Sequence, residues 1–262
     1  MNKKKFKIVS VSKTRYILPS VLTLVGVCLG ISSIKFAMDG NFTFAVLFLI
    51  VAAILDGLDG RVARLIKGTS NFGKELDSLT DFVSFGIAPA FIIYFWELNK
   101  LGKIGWLIVL FYAVCCVLRL ARFNLTKFEN KEEWKNNFFQ GVPSPAGGCL
   151  ILLPLIFELS NFSNLMSLKV ITPYLTIIVS LLLISKIPTY SFKKILIKRN
   201  MTIFLLLGLG LFFVSIIQFT FETISLGLFI YSLIIPLGIL NYNKKSKLVE
   251  NDLLDEDQQD IL

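Results

Sequence analysis

Apolar residues run along this chain in long blocks separated by short polar breaks, and block length is the first informative quantity. A helix needs about 20 predominantly apolar residues to cross a bilayer. Blocks of that order predict spans at roughly 17–36, 42–60, 80–96, 104–120, 145–159, 170–187, 201–219 and 223–241, the fifth being short. The pattern predicts an all-α integral membrane protein, a polytopic bundle of about eight transmembrane helices. Residues 1–241 read as a single membrane-embedded domain, and 242–262, which turns from basic to acidic, as a cytoplasmic tail. The stretch "KFENKEEWKNN" at 127–137 reads as a polar helix or an amphipathic surface segment.

Composition supports this picture. The 262 residues are 55% hydrophobic and only 17% charged, against about a quarter charged in soluble domains. Mean hydropathy is +0.71. Charge placement then orients the bundle. With the N-terminus cytoplasmic, eight spans put 23 of the 27 Lys and Arg on the inner side, leaving only Lys35, Lys100, Lys103 and Lys169 outside. The positive-inside rule requires such an asymmetry, and losing one span would reverse it downstream. Both termini are therefore expected to be cytoplasmic. The net charge of +9 is explained by orientation and anionic headgroups, so nucleic acid is not needed as a partner.

The basic start and the span-length apolar block after it lack a small-residue cleavage pattern and read as a retained helix. Cys28, Cys115, Cys116 and Cys149 all fall within predicted spans, where packing is their expected role. No internal repeat is visible, which weighs mildly against transporter folds built from inverted repeats.

One stretch breaks the apolar pattern in an organised way. "DGLDGRVARLIKGTSNFGKELDSLTD" at 56–81 places Asp56, Asp59, Asp77 and Asp81 between two apolar runs. Those runs, Phe42–Leu55 and Phe82–Trp96, are 14 and 15 residues long, too short to span unless the helices continue through the aspartates. A carboxylate carried into the bilayer costs about 2.5–3.5 kcal/mol on insertion scales, so four of them require compensation. Asp56 and Asp59 are i,i+3, and Asp77 and Asp81 are i,i+4, so each pair shares one helix face. The polar turn "KGTSN" at 67–71 makes the two helices antiparallel neighbours with their carboxylates facing. Oxygen-only ligands of this density suit Mg²⁺ or Mn²⁺, which commonly share carboxylates with substrate phosphates. Gly60, Ala63 and Gly73 leave room for a ligand beside the backbone, and Arg64 supplies a cation suited to phosphate oxygens. The plainer reading is a polar turn neutralised by Arg61, Arg64, Lys67 and Lys74. The paired spacings and the truncated apolar runs favour a metal site for phosphate chemistry.

The same residues carry a family resemblance. Asp56-x₂-Asp59-Gly60-x₂-Ala63-Arg64-x₈-Gly73-x₃-Asp77-x₃-Asp81 resembles the signature of the CDP-alcohol phosphatidyltransferases, with all eight fixed positions present. The resemblance implies a membrane enzyme that displaces CMP from a CDP-linked lipid with an alcohol. It implies Asp56, Asp59 and Asp77 as ligands of a divalent cation, with two cations expected. Asp81 would be a member of the metal site and the general base. Gly60, Arg64, Ser70 and Gly73 would lie on the CDP-lipid side. "DGLDGRVARL", "LDSLTDFVSFGIAPA", "RLARFN" (119–124) and "GVPSPAGG" (141–148) together resemble the bacterial phosphatidylserine synthases within the family. The resemblance runs over about 17–150. It departs at "LPSVLTL" (18–24), where relatives carry Asn after the Pro and this chain has Ser20; Thr23 is kept as a candidate for nucleotide contact.

The resemblance further implies a reaction of CDP-diacylglycerol with L-serine at the cytoplasmic face of a bacterial inner membrane, by a homodimer. A serine carboxylate would need Arg119, Arg122 and Asn124, with Ser144 on the acceptor side, although both arginines also suit ordinary interfacial anchoring. With no histidine in the chain, the base must be a carboxylate or similar group. Competing expectations are a family member using glycerol 3-phosphate, inositol phosphate or choline, a cation transporter, and a lipid-binding scaffold.

Overall fold

The computed structural model describes residues 11–66, 68, 70–126, 138–164, 168–185, 187–190, 202–236 and 238, and the side chains of all of these except 11–16, 126, 138–140, 163–164 and 188–190. The expected tail at 242–262 and the polar segment at 127–137 lie outside them. The chain divides into two compact units, Met1–Ala121 and Arg122–Leu262.

The first unit is built from α1 (Val11–Met38), α2 (Phe42–Leu65), α3 (Asn71–Asp81), α4 (Ala88–Trp96) and the larger part of α5 (Lys103–Thr126). A π-helical turn, Phe82–Ile87, joins α3 to α4 without a break. Four helical stretches here are long and apolar enough to cross a membrane: Ile17–Met38, Phe42–Leu65, Asn71–Trp96 and Lys103–Leu125. The predicted span at 80–96 therefore begins nine residues earlier, at Asn71, because α3 and α4 are one continuous rod. The span predicted at 42–60 likewise runs on to Leu65, through both of its aspartates.

The α1–α2 connection is short because Gly40 adopts a left-handed φ of 76°, a conformation that favours glycine. The Asn41 N–H bonds back to the Phe36 carbonyl at 2.9 Å, and the Asn41 side chain caps α2. Phe36 packs against Phe44 and Phe48 across this end, closing the hairpin.

Pro89 accounts for the π-turn. Its ring conflicts with the carbonyl four residues back, and it has no N–H to offer that carbonyl. The carbonyl in question belongs to Phe85, and it accepts instead from the hydroxyl of Tyr112 on α5 at 2.8 Å. Tyr112 and Phe85 are both buried, so this bond replaces the missing helical donor where water cannot. The core of the unit continues through Ala88, Ile92 and Ile93 on α4, with Ala45, Val46 and Leu49 on α2.

The second unit contains the last turn of α5, then β1 (Phe138–Gln140), α6 (Ser144–Leu159), α7 (Thr172–Ile184), β2 (Pro188–Tyr190), α8 (Thr202–Gln218) and α9 (Thr220–Pro236). β1 and β2 pair antiparallel, Phe138 opposite Tyr190. Gly141, at φ 76°, lets the chain pass the carbonyls at the end of α7: a Cβ there would lie 2.8 Å from the Ser185 oxygen. The four spans predicted from 145 onward correspond to apolar helices of 10–17 residues. Within the described residues the longest of these extends about 25 Å at 1.5 Å per residue.

Candidate active site

The carboxylates of the first unit are assembled by a helix end, a tight turn and a helix start. After Gly60 the sequence "RVARL" keeps α2 helical, carrying Asp56 and Asp59 within its last three turns. The turn closes with Gly68 N–H on the Ala63 carbonyl at 2.8 Å. Ser70, in extended conformation, then caps α3, its Oγ accepting from the Gly73 N–H at 3.0 Å. α3 thus starts at a fixed point and returns Asp77 and Asp81 alongside α2.

Asp56, Asp59 and Asp77 each offer a carboxylate oxygen, and the three oxygens lie within 4.8 Å of one another. Asp81 joins through a side-chain hydrogen bond to Asp56, and the Arg119 guanidinium is its cationic neighbour. Arg119, expected on the acceptor side, is buried with the aspartates of its own unit. Asp59 is buried and accepts from the Thr23 hydroxyl through Oδ2 at 2.6 Å.

The donor set fits a hard divalent cation. It is all oxygen, its charge is concentrated beyond what one arginine offsets, and Asp56 Oδ1 is buried without a hydrogen-bond donor. A buried carboxylate oxygen without a donor is costly unless something cationic meets it.

The other expected residues divide between the two units. Arg64 is exposed, its Nε donating to the Gly60 carbonyl at 3.1 Å. The space beside Gly57 and Gly60 is open, with nothing within 4 Å of an added Cβ. Ser70 accepts from Gly73 and so keeps its own proton to donate. In the second unit, Arg122 Nη1 donates to the carbonyls of Ile184 at 2.6 Å and Ser185 at 3.4 Å, satisfying the open end of α7. Ser144 is fully buried at the first position of α6, and Asn124 is half-buried on α5. Sequence reasoning missed the Thr23–Asp59 bond, which joins residues 36 positions apart, and the approach of Arg119 to Asp81. Neither carries a local sequence signal.

A family model described as CDP-alcohol phosphatidyltransferase matches residues 16–197. Curated relatives named CDP-diacylglycerol–serine O-phosphatidyltransferase include one from Mycobacterium tuberculosis, 47% identical over 132 residues, 50% of this chain and 46% of the relative. This chain's match thus spans about half the length of that protein. One from Mycobacterium leprae is 37% identical over 229 residues, covering 86% of this chain and 75% of the relative. One from Helicobacter pylori is 35% identical over 222 residues, covering 84% and 90%.

Proposed function

The chain belongs to the CDP-alcohol phosphatidyltransferase family, and from that membership we propose that it transfers the phosphatidyl group of CDP-diacylglycerol to the hydroxyl of L-serine, giving phosphatidylserine and CMP. The observation that carries the chemistry is the convergence of Asp56, Asp59 and Asp77 within 4.8 Å, with Asp81 hydrogen-bonded to Asp56. The names of the relatives carry the choice of acceptor.

Asp56, Asp59 and Asp77 hold Mg²⁺ or Mn²⁺, two ions in all, with Asp81 adjoining. The bound ions supply charge stabilisation for the pyrophosphate and for departing CMP. Arg64 and the Ser70 hydroxyl bind phosphate oxygens of the donor, and the open side of Gly60 admits the CDP portion, with Gly73 at the start of α3 beside it. Asp81 takes the hydroxyl proton of serine as its oxygen attacks phosphorus and the phosphorus–oxygen bond to CMP breaks. Arg119, beside Asp81, receives the serine carboxylate. The enzyme is a homodimer of eight-span protomers with both termini cytoplasmic, and its site opens at the inner face of a bacterial inner membrane, so the diacylglycerol chains stay in lipid.

The test is CMP release from CDP-diacylglycerol by purified protein in detergent, with serine, glycerol 3-phosphate, inositol phosphate or choline, and with Mg²⁺, Mn²⁺ or chelator. Serine- and metal-dependent release that Asp81→Asn abolishes is the expected result. Release with another acceptor would refute serine alone. No release from folded, metal-loaded protein with any acceptor would leave the transport or scaffold readings.

A further inference from the structure

Thr23 does not have the surroundings of a substrate contact. It is buried, 5% exposed, and its hydroxyl has two acceptors in reach: the Pro19 carbonyl one turn back at 3.0 Å and Asp59 Oδ2 at 2.6 Å. A helical threonine ordinarily bonds the carbonyl four residues back. Here the shorter contact is to a carboxylate, in the range of charge-assisted O–H···O⁻ bonds. The single hydroxyl proton is therefore directed at Asp59, whose Oδ2 is held by α1, while the Gly60 N–H of its own helix also reaches the carboxylate.

The backbone of α1 is set for this purpose. Gly26 lies one turn beyond Thr23, where an added Cβ would meet Thr80 Cγ2 at 3.8 Å. At Gly30 an added Cβ would approach Ser84 Oγ to 3.0 Å, tighter than ordinary contact. Thr23, Gly26 and Gly30 thus form one face of α1 that lies against both aspartate-bearing helices: on Asp59 of α2, then on Thr80 of α3, then on the π-turn. A small-residue face of this kind fixes the depth at which the Thr23 hydroxyl arrives.

We propose that Thr23 is a positioning residue for the metal site, orienting Asp59 through its hydroxyl rather than touching the nucleotide. This rests on the proposed reading of the aspartates as cation ligands. Partners that orient metal ligands typically change metal affinity by about 10–100-fold when removed.

The experiment measures Mn²⁺ binding by electron paramagnetic resonance on full-length protein in detergent, without substrate, for wild type, Thr23→Val, Thr23→Ser and Asp59→Asn. Valine keeps the shape and loses the hydroxyl; serine keeps the hydroxyl. The expected result is a Kd for Mn²⁺ raised about 10–100-fold in Thr23→Val and close to wild type in Thr23→Ser. CMP release should show a raised metal requirement in Thr23→Val, with KM for CDP-diacylglycerol unchanged at saturating metal. Should the valine variant not purify as a monodisperse species, Thr23→Ala asks the same question. Equal Mn²⁺ affinity in wild type and Thr23→Val, or a rise only in KM for CDP-diacylglycerol, would overturn the inference while leaving the metal site standing. Absence of Mn²⁺ binding in wild type itself would overturn the metal reading instead.

Discussion

Replacing Asp56 by Asn distinguishes a cation site from a set of carboxylates held for structural reasons, because the two predict opposite signs in the absence of metal. Asp56 shares a 4.8 Å sphere with Asp59 and Asp77, is hydrogen-bonded to Asp81, and has one buried oxygen without a donor. Two unit charges 4.8 Å apart repel by about 3.5 kcal/mol at an effective dielectric near 20, and by just under about 1 kcal/mol in water. Asp56→Asn removes one charge, keeps the shape, and offers an amide donor to Asp81. The metal-free variant should therefore exceed wild type in stability by about 1–3 kcal/mol. That corresponds to roughly 2–10 °C in apparent melting temperature for a chain of this size. Metal reverses the order. At a concentration 100 times Kd, wild type gains about 2.7 kcal/mol from binding, whereas the variant has lost a ligand and gains little. A melt monitored with a thiol-reactive dye suits a Cys28→Ser background, since Cys28 is exposed whereas Cys115 and Cys116 are buried and become reactive on unfolding. Curves in chelator and in Mg²⁺ or Mn²⁺ should cross over between the two proteins. A variant less stable than wild type in chelator, by a margin that metal leaves unchanged, would refute the reasoning and make Asp56 a structural acceptor.

Two further substitutions test the frame around the site. Tyr112→Phe removes only the hydroxyl and leaves the Phe85 carbonyl buried without that donor, so a loss of about 1–3 kcal/mol is expected in the same melt; an unchanged melting temperature would show that the π-turn does not depend on this bond. Gly105→Ala would place a Cβ 1.9 Å from the Leu98 carbonyl oxygen, a clash with backbone that cannot rotate away, and should cost at least about 1–3 kcal/mol, whereas Gly57→Ala, with nothing within 4 Å, should leave stability within about 0.5 kcal/mol of wild type.

The parts of this protein that were legible in its sequence are those set by short-range spacing. Truncated apolar runs on either side of 56–81 implied helices that continue through their aspartates, and α2 does continue, to Leu65. The i,i+3 and i,i+4 pairs implied one carboxylate face per helix, and the oxygens of Asp56, Asp59 and Asp77 converge accordingly. Contacts at long range carry no such mark. Thr23 was visible as a polar residue in an apolar span, but nothing local connects it to Asp59. Arg119 has the same limitation: its position at a helix end reads as interfacial anchoring, and only packing brings it to Asp81. Arg122 donates to the carbonyls at the end of α7, a contact set by residues more than 60 positions away. Ser70 did have a local signal, a serine immediately before a helix, which marks an N-cap as readily as a ligand contact. The later helices were recognisable as apolar segments.

The π-turn also determines what kind of sequence change this rod tolerates. Asp77, Asp81, Phe85, Ala88 and Ile92 are spaced by four, four, three and four, the spacing of a single stripe on an uninterrupted α-helix. Six residues wound at about 4.4 per turn instead of 3.6 lag by roughly 100°, the angle of one residue. The rod is therefore out of phase with itself by one position: the upstream part presents its carboxylates at one azimuth, while Phe85, Ala88 and Ile92 are buried at another. Deleting a single residue there, with the turn closing to an α-helix, would leave the Asp77–Asp81 face nearly where it stands, because five residues at about 100° and six at about 82° turn the rod by almost the same angle. Converting the turn to an α-helix at constant length would swing that face about a quarter turn away from α2, so in this segment winding and length must change together.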